Sequence, residues 1–298
     1  MPEPRSLAIQ SVLFGNSADD IVRAAESAAN SVRLARDSAL VSEWMLVLGD
    51  SSAEAVLDAG ALGRISSVVA LAGGTVDYRY FGANLGSAGG HNALALNGTS
   101  DLILILNPDA RMAPQTISAL ASELDGDVGI AEARQVPLEH PKEYVEKTGD
   151  TSWASTACAL TTRPLFELVQ GFDAETFFLY CDDVDYSWRI RLAGYRVVYV
   201  PSASVFHDKR LTATADWPAS AAEIYYTDEA AVLLAYKYSR PDIVRSLTTS
   251  YRRKPTPVHV KVLAELDARK RRGALPRQID RDHRVAKFIK DRYAQHRY

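Results

Sequence analysis

The sequence has little cysteine and no long apolar run. Cys158 and Cys181 are the two cysteines in 298 residues. That is too few for a disulfide framework, and their spacing is not that of a thiolate metal site, so both read as small buried apolar residues. The longest apolar stretches, such as Leu102 to Leu106 and Ala230 to Ala235, fall far short of the roughly 20 residues that span a bilayer. The start has a short apolar run closed by polar residues and no secretory pattern. The expectation is a reducing, cytoplasmic protein that meets a membrane, if at all, from its surface. There is no internal repeat or low-complexity tract, and 47% hydrophobic with 24% charged residues excludes disorder, collagen and coiled coil.

Net charge is only -3, but it is unevenly spread. From Lys237 to Tyr298 there are 18 Lys and Arg against 6 Asp and Glu, leaving 16 basic and 31 acidic residues before it. Body and tail face different partners.

What is present is an alternation of strand and helix signals. Leu7 to Phe14 reads as a first strand, followed by the turn Gly15-Asn16-Ser17. A helix follows, capped by Ser17 with Asp20 three positions on, and with Ile21, Ala25, Ala28, Val32 and Ala35 on one face. Trp44 to Leu48 gives a second strand ending at Gly49-Asp50-Ser51-Ser52, and Ala53 to Ala61 has helical character. Val76 to Phe81 reads as a third strand, Gly82 to Asn92 as a glycine-rich loop, His91 to Asn97 as a short helix, and Leu102 to Leu106 as a fourth strand, apolar at every position. Such alternation predicts a parallel sheet covered on both faces. Gly129 to Val136 and Arg196 to Val200 are further strands. Beyond about Leu211, Glu223 to Tyr238, Val258 to Arg272 and Asp282 to Tyr293 read as helices of a C-terminal region.

Four acidic features stand out: Asp50, Asp109, the run Asp182-Asp183-Val184-Asp185, and Asp125-Gly126-Asp127 in a turn. As letter patterns they are unspecific, and the similar Asp280 to Asp282 reads as a solvated surface feature. Position separates Asp50 and Asp109, which would both project at the carboxyl edge of a parallel sheet, where ligands bind. Asp50 suits a cap or turn equally well. In the acidic run, three carboxylates in four positions raise one another's pKa unless a cation or a helix N-terminus offsets them. Asp182 could cap a helix with Asp183 and Asp185 in its first turn and Asp185 paired to Arg189. A mixed assignment then leaves one acid structural and another free as a general base. His207 ends a mostly apolar stretch; a lone histidine there is more often structural than a ligand. Together with Asp109 it makes a hard-oxygen and imidazole pair suited to Mn²⁺ or Mg²⁺. The segment Asn84 to Asn92 lets backbone approach a ligand, yet it is neither a P-loop nor a dinucleotide fingerprint.

In order along the chain, these pieces resemble the inverting family 2 glycosyltransferases of GT-A fold, in their rhamnosyltransferase-like branch. The matching residues are Gly49-Asp50-Ser51-Ser52, Asn84-x-Gly86 with Gly90-x-Asn92, and Leu106-Asn107-Pro108-Asp109-Ala110. They continue with Trp153-Ala154-Ser155, Arg163, Gly171-Phe172-Asp173, Phe178-x-Tyr180-x-Asp182-Asp183-x-Asp185, Arg189, Ala193-Gly194 and Pro201 through His207. The resemblance implies an α/β, Rossmann-like, mostly parallel sheet flanked by helices. Residues 1–210 would form the GT-A domain, with a nucleotide-binding half to about 110 and an acceptor half after it, and 211–298 a basic helical region. It implies that Asp50 contacts the nucleotide base, that Asn84, Gly86 and Asn92 line the nucleotide pocket, and that Asn107-Pro108-Asp109 is the Asp-x-Asp element. Asp109 would bind a divalent metal, Mn²⁺ or Mg²⁺, with His207 as a further ligand, and Asp183 would be the catalytic base. Trp153, Asp182, Asp185 and Arg189 fall to the acceptor side or its framework. The chain departs from the family in three places: Asn107 lacks a carboxylate, Thr156 stands where Gly is usual, and Thr227-Asp228-Glu229 replaces an Arg-Asn pair after Tyr225-Tyr226.

The expected function is inverting transfer of a sugar, with rhamnose the first donor to try, from a nucleoside diphosphate to a hydroxyl of a cell-surface polysaccharide or lipid-linked glycan. Arg252-Arg253-Lys254 and Arg269-Lys270-Arg271-Arg272 could hold anionic lipid or a polyprenyl diphosphate acceptor; a solvated helical face is the equal alternative, and a nucleic-acid role is not expected. Two other functions remain open. A nucleotidylyltransferase would carry a basic, glycine-rich loop after the first strand, where no cation occurs before Arg23. A noncatalytic nucleotide-sugar-binding protein would not need Asp109, Asp183 and His207.

Overall fold

The computed structural model describes residues 3–139, 142–207 and 219–294. Its first part alternates strand and helix: β1 (Arg5–Leu13), α1 (Ala18–Asp37), β2 (Val41–Asp50), α2 (Ala59–Leu71), β3 (Gly74–Tyr80), α3 (Gly86–Ala95) and β4 (Leu102–Leu106). Next come β5 (Ala110–Met112), α4 (Thr116–Glu123), β6 (Val128–Val136), β7 (Cys158–Thr162), α5 (Arg163–Leu168), α6 (Asp182–Leu192) and β8 (Arg196–His207). The helices α7 (Ala221–Lys237), α8 (Pro241–Arg253) and α9 (Pro257–Arg272) follow. The expected domain boundary near 210 lies outside the described residues.

The strands form one sheet in the order β3-β2-β1-β4-β7-β6-β8-β5. β1 pairs in parallel with β2 and β4, β2 with β3, and β6 with β8, whereas β7 runs antiparallel to β4 and β6, and β5 to β8. β1 leads outward to β2 on one side and has β4 on the other. This is the reversal of strand order that opens a crevice beyond the carboxyl ends.

β4 shows why the sheet is covered twice. Leu102, Leu104 and Leu106 pack with α1, α2 and α4, while Ile103 and Ile105 pack with α3, α5 and α6 on the other face. All five side chains are buried, as period-two alternation requires of a central strand. The Ser17 cap forms as expected, accepting from the Asp20 N–H, and Ile21, Ala25, Ala28, Val32 and Ala35 are all buried.

Several expected elements shift. Residues 53–58 are not helical; the Asp50 carboxylate draws the Ser52 and Val56 N–H groups into a loop, and α2 starts only after Asp58 caps the Ala61 N–H. The glycine-rich stretch is helix from Gly86 onward rather than loop. Gly90 lies so close to β1 that a Cβ there would press on Val12. Residues 282–293 are turns rather than helix, because the buried Asp280, expected at the surface, accepts from the N–H groups of Arg284, Val285 and Ala286. Among the described residues, no helix is long and apolar enough to cross a membrane.

Candidate functional site

Strand register creates the first pair. β5 runs antiparallel to β8 with Ala110 opposite His207, so Asp109, one residue before β5, meets the last residue of β8. His207 Nε2 lies 3.3 Å from Asp109 Oδ1 and 3.2 Å from Asn107 Nδ2. Its Nδ1 lies 3.0 Å from Oε1 of Gln135, whose Nε2 donates to Ser155 Oγ at 3.1 Å. Two cis ligands of an octahedral cation at about 2.1 Å stand about 3.0 Å apart, so the Asp109–His207 separation fits a shared divalent ion. Among the described residues no group of three or more His, Cys, Asp or Glu gathers for a metal. These two side chains therefore form a partial site, whose other positions would fall to ligand oxygens and water.

The acidic run opens α6. Tyr180 (φ 64°) and Cys181 (φ 56°) both take left-handed backbone, costly for residues with a Cβ. This turn starts the helix at Asp182, so Asp182 is its first residue and not its cap, with Asp183 and Asp185 in the first turn. The three acids have different surroundings. Asp185 is fully buried and bound by Arg189 Nε (2.7 Å), Lys237 Nζ (2.6 Å) and the Tyr238 hydroxyl (3.1 Å). Asp182 is buried beside Ser87, with its Oδ2 lacking a partner among described groups, and burial pushes its pKa up. Asp183 is half-buried, and its Oδ1 accepts the Val184 N–H (2.8 Å). Burial and the neighbouring Asp182 push its pKa up to about 8. Asp183 is thus the carboxyl that combines access with a proton affinity near neutrality.

The segment 153–155 links the two ends. The Ala154 N–H donates to Ser187 Oγ (3.0 Å), which donates to the Asp183 carbonyl (2.8 Å), while Ser155 holds Gln135 and through it His207. On β6 beside Gln135, the buried Glu132 pairs with Lys142, whose ammonium also donates to the Trp153 carbonyl (2.9 Å) and sits 4.1 Å from that indole's centroid. Gln135, Glu132 and Lys142 belong to no motif. For Gln135 and Glu132, polar letters in a mostly apolar strand were the available signal.

On the nucleotide side, Asp50 ends β2 opposite Leu13 of β1, at the same edge as Asp109. It is fully buried and accepts from Ser52 N (2.9 Å), Val56 N (2.8 Å) and the Tyr78 hydroxyl (2.6 Å). Burial opposes its ionisation, but these hydrogen bonds outweigh it and hold the carboxyl below its ordinary range. Asn84 is exposed and turns its Oδ1 to the Gly86 N–H (3.0 Å). Asn92 is engaged with the framework. Both ends of its amide are bound to the Phe172 backbone (2.8 Å each), because α3 packs on the Gly171-Phe172 turn. Two other candidates also prove to be framework. Arg189 spans Asp185 and the Gly171 carbonyl (2.7 Å). Trp153, 2% exposed, lies between Lys142 and the edge of Tyr293, whose ring is 5.0 Å away. Lys237, which the sequence did not single out, joins Asp185 to Asp173 (2.7 Å) and ties α7 to the body. Both cysteines are free and buried, as expected.

No family model matches the chain. A 147-residue alignment, spanning 37% of this chain and 47% of the relative, gives 31% identity to an N-acetylglucosaminyl-diphospho-decaprenol L-rhamnosyltransferase of Mycobacterium tuberculosis. A shorter one of 67 residues, 22% of this chain and 25% of the relative, gives 36% identity to rhamnosyltransferase WbbL of Escherichia coli. The chain thus spans at most about half the length of these curated relatives. Among solved structures, the mannosyltransferase PcManGT of Pyrobaculum calidifontis with GDP-Man and Mn²⁺ matches with a TM-score of 0.55 and 16% identity, over 90% of this chain and 80% of that one. GalNAc-T7 with UDP, GalNAc and Mn²⁺ matches with 0.61 and 11%, over 86% and 52%. TarS of S. aureus matches with 0.53 and 13%, over 78% and 39%. The α/β sheet flanked by helices is that of GT-A glycosyltransferases.

Proposed function

We propose that this chain, whose fold is that of GT-A glycosyltransferases and whose sequence resembles the rhamnosyltransferase-like branch of family 2, is an inverting glycosyltransferase. The observation that carries the reading is the pairing, at one sheet edge, of Asp109 with His207 at 3.3 Å, tied through residues 153–155 to the half-buried Asp183. The donor is a nucleoside-diphosphate sugar, with a rhamnosyl donor the first choice, and the acceptor a hydroxyl of a lipid-linked glycan. The rhamnosyl group and the lipid-linked acceptor follow from the named relatives, which match the chain only in part, and the nucleoside diphosphate from the GDP-Man and UDP bound in the structural neighbours.

In the reaction, Asp183 takes the acceptor hydroxyl proton as that oxygen attacks the anomeric carbon from the face opposite the diphosphate. The bond from the anomeric carbon to the diphosphate oxygen breaks, and the nucleoside diphosphate leaves with the electron pair. The transition state is oxocarbenium-like, as in glycoside hydrolysis. One carboxylate suffices, because the leaving group is already an anion and needs no proton. Asp109 and His207 would hold the divalent ion, Mn²⁺ or Mg²⁺, which when bound offsets negative charge on the diphosphate. Asp50 shapes the loop that would carry the base, and Asn84, Gly86 and Asn107 stand on the donor side. Burial and the neighbouring Asp182 raise the proton affinity of Asp183. The basic tail is assigned to peripheral contact with anionic lipid at the cytoplasmic face.

The test is release of nucleoside diphosphate from thymidine, uridine and guanosine diphosphate sugars with a short-chain N-acetylglucosaminyl-diphospho-prenol, with and without Mn²⁺. Acceptor-dependent release supports the reading. Release of pyrophosphate from a sugar phosphate and a nucleoside triphosphate would point to a nucleotidylyltransferase, and binding without turnover to a noncatalytic protein.

A further inference from the structure

We propose that Gln135 is a positioning residue: it holds the His207 proton on Nδ1, so that Nε2 meets Asp109 as a bare lone pair. Gln135 lies inside β6, 2% exposed, with Val205 of β8 as its register partner, which brings its amide beside the ring two residues further on. Ser155 Oγ accepts from Gln135 Nε2 at 3.1 Å and from the Ala157 N–H at 3.4 Å. The other end of the amide, Oε1, faces the imidazole, 3.0 Å from Nδ1.

An oxygen acceptor at that distance requires a proton on Nδ1. A neutral imidazole carries one proton, so Nε2 is unprotonated. Asn107 Nδ2–H donates to it at 3.2 Å. Asp109 Oδ1 lies 3.3 Å from the same nitrogen, and two facing electron pairs repel unless a cation lies against both. The Asn107 amide occupies the lone pair that a cation would take, so it has to swing aside on binding. A carboxylate at 107 has no N–H with which to do this.

The inference takes its purpose, though not its test, from the transferase reading. Long-range ¹H–¹⁵N correlation of the metal-free protein, with the His207 signals assigned by their loss in His207→Gln, reports the tautomer without altering Gln135. The expected result is the Nδ1–H form. Titration with Mn²⁺ alone, following the free ion by electron paramagnetic resonance, should show roughly 10- to 100-fold weaker binding in Gln135→Met, judged on protein with a wild-type circular dichroism spectrum. Gln135→Glu, which keeps an oxygen toward Nδ1, should bind at least as tightly as wild type. An Nε2–H tautomer in the wild type overturns the proposal, as does unchanged Mn²⁺ affinity in Gln135→Met. Wild-type protein that binds no Mn²⁺ overturns it too, and nucleoside diphosphate release by that protein would leave the transferase reading standing. Conversely, Mn²⁺ binding that depends on Gln135, with no turnover of any sugar nucleotide, would remove the transferase reading and keep the role of Gln135.

Discussion

Asp183 sits where burial and the Asp182 carboxyl beside it favour the protonated form, whereas a base must be ionised to take a proton. The glutamate Glu132 and the phenol Tyr293 also bear on this site, and Lys142 works the other way by favouring the carboxylate. Turnover should therefore rise with pH and level off above about 8. Asp182→Asn removes the neighbouring charge, so its rising limb should move to lower pH; a limb that stays in place would detach the profile from this pair. The same shift has a stability sign. A carboxyl whose folded pKa exceeds its unfolded value favours folding below about pH 4 and loses that contribution as pH climbs toward 8. Asp183→Asn should lower turnover by about 10² to 10⁴ while nucleotide affinity, followed by calorimetry, changes little. Near-normal turnover would mean that another group takes the proton. At this scale the sequence singled out Asp109 and His207, which the structure brings within 3.3 Å, and Asp183, which it places in the first turn of α6; their parts in transfer are the proposal tested above. The backbone bonds of Asn92 were not legible, because an amide can bind backbone as readily as ligand, and Gln135 was silent, because strand register alone brings it beside His207.

Among the elements, α3 shows what sequence pattern could not supply. Glycine is a poor helix former, and Gly86, Gly89 and Gly90 therefore read as loop. Packing decides otherwise. Gly86 takes φ +67°, a Cβ on it would overlap the Phe178 carbonyl oxygen, and the Ser87 N–H donates to that oxygen at 3.1 Å. The start of α3 is thereby fitted against the segment that delivers Asp182 and Asp183. Gly86→Ala should cost at least about 2 kcal/mol through unfavourable φ and displaced backbone, read as a lower urea midpoint with unchanged slope. It should also reduce turnover more than the stability loss explains. Wild-type stability in this variant would mean that the close approach is not required. No helix was expected between Tyr238 and Val258, yet α8 forms there, because proline suits the first turn of a helix, where Pro241 stands. β1, α1 and β4 were legible because capping and apolar period agree with burial.

At the level of the whole molecule, the two basic runs within the last 62 residues do not form one surface. Arg252, Arg253 and Lys254 are exposed where α8 ends, while Lys270, Arg271 and Arg272 are exposed at the far end of α9. Sixteen residues of helix put about 24 Å between the two groups, beyond the ~10 Å over which salt lets charges act together. They also differ in freedom. Arg269 and Arg272 pair with Glu265, and Arg269 also with Glu229, whereas Arg252, Arg253 and Lys254 make no ion pair among the described residues and have the exposed Val260 nearby on α9. At roughly 1 kcal/mol for each well-placed cation, the first group alone is worth about two decades of affinity for an anionic surface. Co-sedimentation with phosphatidylglycerol vesicles should therefore fall about 100-fold in Arg252→Ala/Arg253→Ala/Lys254→Ala, and by clearly less in Lys270→Ala/Arg271→Ala/Arg272→Ala, which removes the same charge. Binding should vanish at high salt in every case. Equal losses in the two variants would show that the tail acts through total charge alone. No loss in either would return both clusters to ordinary solvated helix ends.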